Sequence, residues 1–142
     1  MKKVTGSAVL CLAIFVVFCA SAFAQNQEKQ PTPEEMAMTE AERLEKILDL
    51  EDWQAFYVDS TLQHDFAALD AEIKNMQQAK VGNIDIYREV QDKWMDQIDN
   101  SFKKWFTPAQ WKKYLKAGAG KSQKDREKRR EKIAKANKEL SE

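Results

Sequence analysis

Beyond residue 24 this sequence has no cysteine, because its only two, Cys11 and Cys19, lie in the opening segment. Disulfide stapling, cysteine-type zinc sites and thiol nucleophiles are therefore excluded from the rest of the chain, whose stability has to come from packing alone. Histidine is nearly missing as well, with His64 as the single copy. Only 4 glycines and 3 prolines are present, too few for a series of tight turns between strands, and no glycine-rich loop cradles a phosphate. Gly118-x-Gly120 follows no strand pattern. Large apolar residues vanish toward the end, where Lys121 to Glu142 holds only Ile133 and Leu140. Such a composition predicts a charged tail, disordered or a solvated helix, that does not pack as a core element.

What the chain does hold is ordered by position. Lys2 and Lys3 lead into an apolar run from Ala8 to Phe18, closed by Ala22-Phe23-Ala24 with small residues where a signal peptidase reads. The run is shorter than the roughly 20 apolar residues that cross a bilayer. Residues 1–24 therefore read as a secretory signal cleaved after Ala24, which sends the chain to the periplasm, with residues 25–38 as a flexible leader. Residues 39–117 read as a helical domain and 118–142 as the tail. From Gln25 to Leu115 the chain has 11 basic and 18 acidic residues, a net −7, whereas Lys116 to Glu142 has 10 basic and 5 acidic, a net +5. An acidic body with a basic tail follows.

Apolar periodicity organises the body. Thr39 with Glu42 fits a capping box ahead of Leu44, Ile47 and Leu48, a short first helix. Asp49 offers a cap for the next helix, with Asp52 in its first turn. From Trp53 the residues Tyr57, Leu62, Phe66, Leu69, Ile73 and Met76 recur mostly at helical steps, and Gly82-Asn83 supplies a stop. Ile84, Tyr87, Val90, Trp94, Ile98, Phe102 and Trp105 form a second long stripe. Thr107-Pro108 restarts the chain as a short helix carrying Trp111, Tyr114 and Leu115, ended by Ala117-Gly118-Ala119-Gly120. The fold class is all-α: two long antiparallel amphipathic helices with two shorter ones, elongated, with each long helix about 40 Å at about 1.5 Å per residue. So thin a layer leaves apolar surface for a second copy or another partner.

Catalytic materials are scarce. His64 lies near Ser60 and Asp65, but neighbouring positions on one helix do not build a triad without other elements converging. Met36 and Met38 are too sparse to define a copper site, and no zinc spacing exists, so neither metal nor cofactor is expected and the chain does not read as an enzyme. Asp92, Asp96 and Asp99 read as a solvated helix face. The Lys124–Arg130 run interleaves acids with its cations, which argues against nucleic acid as a partner. Contact of the tail with an anionic surface would be electrostatic, since it has no apolar face.

Two short segments share a pattern. Leu50 to Gln54 and Phe106-Thr107-Pro108-Ala109-Gln110 each set an apolar residue, a capping position and a glutamine at one spacing. The second closely resembles the Leu-Thr-x-x-Gln motif that occurs twice in the Spy/CpxP family of small periplasmic helical proteins; the first departs from it, with Glu51 where the family has Thr. The resemblance covers roughly Leu48 to Leu115. It implies a cradle-shaped antiparallel homodimer that binds unfolded or misfolded envelope proteins without ATP and limits aggregation, with Leu50, Gln54, Phe106, Thr107, Pro108 and Gln110 as motif residues. Family members use a basic concave face, whereas this body is acidic. Trp53, Phe56, Trp94, Trp105 and Trp111 are the aromatic candidates for client contact. The CpxP branch implies instead an accessory docking on a membrane sensor kinase. A structural envelope protein tethered by its basic tail is a third reading.

Overall fold

The computed structural model describes residues 30–140, all of which except Gln30 belong to one compact unit, Pro31–Glu142. The signal segment and residues 25–29 of the leader lie outside the described residues. Among the described residues no helix is long and apolar enough to cross a membrane.

Every regular element described is helical. They are α1 (Pro33–Leu48), α2 (Asp52–Gln78), α3 (Ile84–Trp105), α4 (Pro108–Tyr114), a π-turn (Leu115–Ala119) and α5 (Gly120–Glu139). Helix α1 starts six residues before the expected Thr39. Thr32 accepts from Glu35 N and donates its own N–H to the Glu35 carboxylate, a complete capping box, with Pro33 at the first helical position. Thr39 sits inside the helix instead, its hydroxyl donating to Glu35 O at 2.8 Å. Residues 33–38, Met36 and Met38 among them, thus belong to a helix rather than a flexible leader.

The corners also differ in detail from expectation. Asp49 closes α1 in the left-handed region (φ 53°), which its short polar side chain tolerates, and Glu51 rather than Asp49 precedes the first turn of α2. After α2 the left-handed residue is Lys80 (φ 56°), not Gly82, while Asn83 caps α3 by accepting from Asp85 N. Helix α3 begins and ends where its stripe does.

Helices α2 and α3 run antiparallel, as their cross-links show by pairing rising with falling numbers: Gln54 with Trp105, Asp65 with Gln97, Glu72 with Lys93 and Trp94. The core gathers at one end of this hairpin. Ala37, Ala41, Leu44 and Leu48 of α1, spaced four, three and four apart, meet Val58 and Leu62 of α2, Ile98 and Phe102 of α3, Phe106, and Tyr114 of α4. Phe102 is central, with rings of Phe106 and Tyr114 at 5.2 and 5.7 Å. Farther along, Leu69, Ile73, Met76 and Val90 are only partly buried.

The tail takes the helical one of its two expected forms, but it is seated on the body rather than free. Gly118, at φ 128°, turns the chain within the π-turn, and the tail then resumes as the 20-residue helix α5. That helix is neither disordered nor free of the body, since Arg126 is buried against α3.

Truncating Phe102 to alanine removes the ring that joins α3, α4 and the loop between them. Urea unfolding should record a loss of about 3–5 kcal/mol, whereas Ile84→Ala, at an exposed site, should stay within about 0.5 kcal/mol.

Candidate functional site

The two motif copies meet in space. Gln54 and Gln110 each occupy the third position of a helix, so each amide oxygen can reach back to the N–H preceding its own first turn: Glu51 N to Gln54 Oε1 at 3.1 Å, Thr107 N to Gln110 Oε1 at 2.9 Å. The Thr107 hydroxyl completes its box by accepting from Gln110 N at 3.2 Å. The two side-chain amides then pair reciprocally, Nε2 of each donating to Oε1 of the other at 2.9 Å. Each has one N–H left. Gln54 gives it to Trp105 O at 2.8 Å and Gln110 to Asp49 O at 3.3 Å. Both donors and both lone pairs of each amide are used, which is why Gln54 can be 2 % exposed without penalty. Leu50 and Phe106 pack on the core beside this clasp, and Pro108 opens α4.

The clasp positions an aromatic surface. Trp53, adjacent to Gln54, sends its indole N–H to the Glu51 carboxylate at 2.7 Å and lies edge-on to Tyr57. Phe56 also meets Tyr57 edge-on, at 5.7 Å, and Tyr57 rests on Trp105 at 5.1 Å. Trp53, Phe56 and Tyr57 remain 49, 66 and 46 % exposed. Three large aromatics on the first turns of one helix, braced by a half-buried tryptophan of another, make an open apolar patch.

The other two candidate tryptophans lie elsewhere. Trp111 is half-buried against Tyr114 at 5.4 Å, with Lys103 above its ring. Trp94, on α3, donates to Glu72 Oε2 at 2.7 Å, and Lys93 lies 5.3 Å from its ring centre. Tyr57, absent from the aromatic candidates, belongs to the patch; its place one helical turn after Trp53 was the signal.

His64 contacts Asp65 through Nδ1 and Oδ1 at 2.8 Å, and Gln97 donates to the same oxygen at 3.0 Å. Ser60 makes no hydrogen bond to the imidazole among the described residues. Among the described residues no group of three His, Cys, Asp or Glu side chains could hold a metal ion.

Asp92, Asp96 and Asp99 are not a solvated face. Arg126 donates to Asp96 Oδ1 at 2.7 Å and to Asp99 Oδ2; Arg129 donates through two nitrogens to Asp92 at 2.7 and 2.8 Å; Arg130 donates to Asp96. Asp99 also accepts from Tyr114 at 2.6 Å and from Gln123 at 2.9 Å. Burial, reinforced by Asp99, pushes the Tyr114 phenol far above its ordinary range. It therefore remains a donor to Asp99 at neutral pH. These arginine partners lie about 30 residues downstream in sequence, beyond the reach of a periodicity argument.

The chain matches no known protein-family model, no curated protein and no solved structure.

Two outcomes are expected. Gln54→Ala and Gln110→Ala each orphan the partner amide and should lose about 1–3 kcal/mol. The double variant should lose less than their sum, giving a coupling of about 0.5–3 kcal/mol in a urea-unfolding cycle. Separately, the Trp94 hydrogen bond, aided by Lys93 and opposed by desolvation, holds the Glu72 carboxyl below its usual range. A depressed folded value means a stabilising contribution that is present above the ordinary carboxylate range and is lost as pH falls through the folded value. Trp94→Phe should therefore make the stability decline on acidification below the ordinary carboxylate range shallower in thermal scans.

Proposed function

We propose that the chain is an ATP-independent chaperone-like protein of the periplasm that binds unfolded or misfolded envelope polypeptides and limits their aggregation. The observation that carries this reading is the patch of Trp53, Phe56 and Tyr57 on Trp105, an exposed aromatic surface on a backbone pinned by the glutamine clasp. Non-native polypeptides are distinguished from folded ones by accessible apolar segments, and a small aromatic surface offers them large contact area at low conformational-entropy cost. Acidic groups around it, Glu51, Asp52 and Asp59, keep a loose complex soluble.

The Spy/CpxP resemblance supports the same reading, because the two glutamines it singles out pair with each other. Membership in that family, a cradle shape, and a homodimer that sets two patches side by side belong to the proposal. No observation favours the sensor-accessory reading. The tether reading would rest on the lysines of the tail, since Arg126, Arg129 and Arg130 are paired within the chain.

The test uses the chain from Gln25 onward, which contains the whole compact unit. At stoichiometric amounts and without nucleotide it should suppress light scattering from a chemically denatured model client. Trp53→Ser with Phe56→Ser should cut that capacity at least ~3-fold while unfolding stability changes by less than about 1 kcal/mol, both sites being exposed. Equal suppression by the double variant would remove the patch from the mechanism, and no suppression by the unaltered chain would overturn the reading.

A further inference from the structure

Helix α5 turns almost nothing apolar toward the body. Ile133 is half-buried, and Leu140 just past its end is 87 % exposed. A register of charges seats it instead. On α3, Asp92, Asp96 and Asp99 recur at steps of four and three and share one face; on α5, Gln123, Arg126 and Arg130 do the same, with Arg129 beside them. The pairs run in opposite order along the two helices, from Gln123 and Arg126 on Asp99, through Arg126 and Arg130 on Asp96, to Arg129 on Asp92. Arg126 is the anchor, 4 % exposed and held between two carboxylates.

The receiving face is more than a row of acids. Met95, Ile98 and Tyr114 lie with Asp92 and Asp99 along one side of a cleft of about 520 Å³ whose other side is formed by Arg126 and Arg129 of α5. Aliphatic stems of arginine pack on such surface while their heads meet carboxylates. We propose that this face of α3 is a docking site for arginine-bearing helical segments of a polypeptide partner, and that α5 is its occupant in cis, an arm which such a segment displaces. The proposal is independent of the aromatic patch and of the chaperone reading.

Three features make α5 displaceable. The Arg129 and Arg130 side chains are 43 and 56 % exposed, and ion pairs so open to water hold weakly and are screened by salt. Gly118 adopts φ 128°, a conformation that side chains rarely allow, so α5 is joined to the body through one glycine-dependent turn rather than through a continuous helix. Helix α5, rich in lysine, arginine and glutamate, also retains helix-forming tendency when detached. An attached arm competes through its high local concentration, so the site answers only to segments that match it in register or that arrive when the arm is weakened.

The probe is a fluorescein-labelled synthetic peptide of residues 120–140, titrated by anisotropy into the chain from Gln25 onward. The variant R126Q/R129Q/R130Q, whose own arm no longer fits, should bind it at least ~10-fold more tightly than the unaltered chain at about 20 mM salt and lose that gain at about 300 mM. A peptide with the same three arginines replaced by glutamine should not bind. A second measurement does not depend on that variant. Asn137 shares a cleft with Asp85 and Arg88, so a nitroxide on N137C should broaden their amide resonances while the arm is seated. Excess unlabelled peptide should relieve the broadening. Equal affinity for the two peptides, no gain in the arm variant, or broadening that persists at saturating peptide each overturns the proposal.

Discussion

Two side-chain amides, Gln54 and Gln110, tie together the corners on which the rest of the structure turns. Each completes the start of its own helix, and the same atoms bind the partner amide and a backbone carbonyl from the other half of the chain. Local and tertiary structure therefore share one hydrogen-bond network. A neutral amide buried without partners would cost several kcal/mol of lost hydration, and here every donor and acceptor is matched. The arrangement also fixes register: sliding α3 along α2 by one residue would move Trp105 O from Gln54 and orphan both ends of the pair. Apolar packing of Leu44, Leu48, Val58, Leu62, Ile98 and Phe102 supplies the larger share of stability. Packing alone tolerates alternatives that the amide pair does not.

That constraint explains why an aromatic patch can remain open. Trp53 and Gln54 are neighbours on α2, so once Gln54 faces the core Trp53 is directed away from it, and Tyr57, one turn on, lies over the edge of α3 against Trp105. The aromatics are exposed because the position beside them is committed to the clasp. A surface whose backbone is held this firmly loses little conformational entropy when it binds.

Much of this was legible in the sequence. The 3.6-residue stripes placed α2 and α3, Thr107-Pro108 placed α4, and the repeated spacing singled out both glutamines, although nothing in it stated that they touch. Choices between equivalent local signals were not legible. Thr32 and Thr39 each precede a glutamate by three residues, and the one with proline at the next position prevailed, since proline is preorganised for a first turn. The left-handed residue at the hairpin was sought at Gly82 or Asn83 and lies at Lys80. Helix α5 has the solvated form that was one of the two expected, but its seating on α3 was not legible for a deeper reason: charges at three- and four-residue steps look alike whether they face water or another helix's charges, so Asp92, Asp96 and Asp99 could not be distinguished from a solvated face without their partners.

The chain thus joins its parts by two polar devices of different physics. The glutamine pair is neutral and partly buried, with Gln54 almost wholly shielded from water, so ionic strength scarcely touches it. The arginine–aspartate register is charged and partly open, and screening shortens its reach to about a Debye length, about 8 Å at physiological salt. Burying Arg126 between Asp96 and Asp99 adds orientation more than net stability, because desolvation of the three charges offsets much of their attraction. The interior of the helical body is in this way insulated from the ionic surroundings, while the attachment of α5 is exposed to them. One chain can then hold its aromatic surface in constant geometry and still vary the seating of its basic arm, a separation that a wholly apolar interface along α5 would have removed.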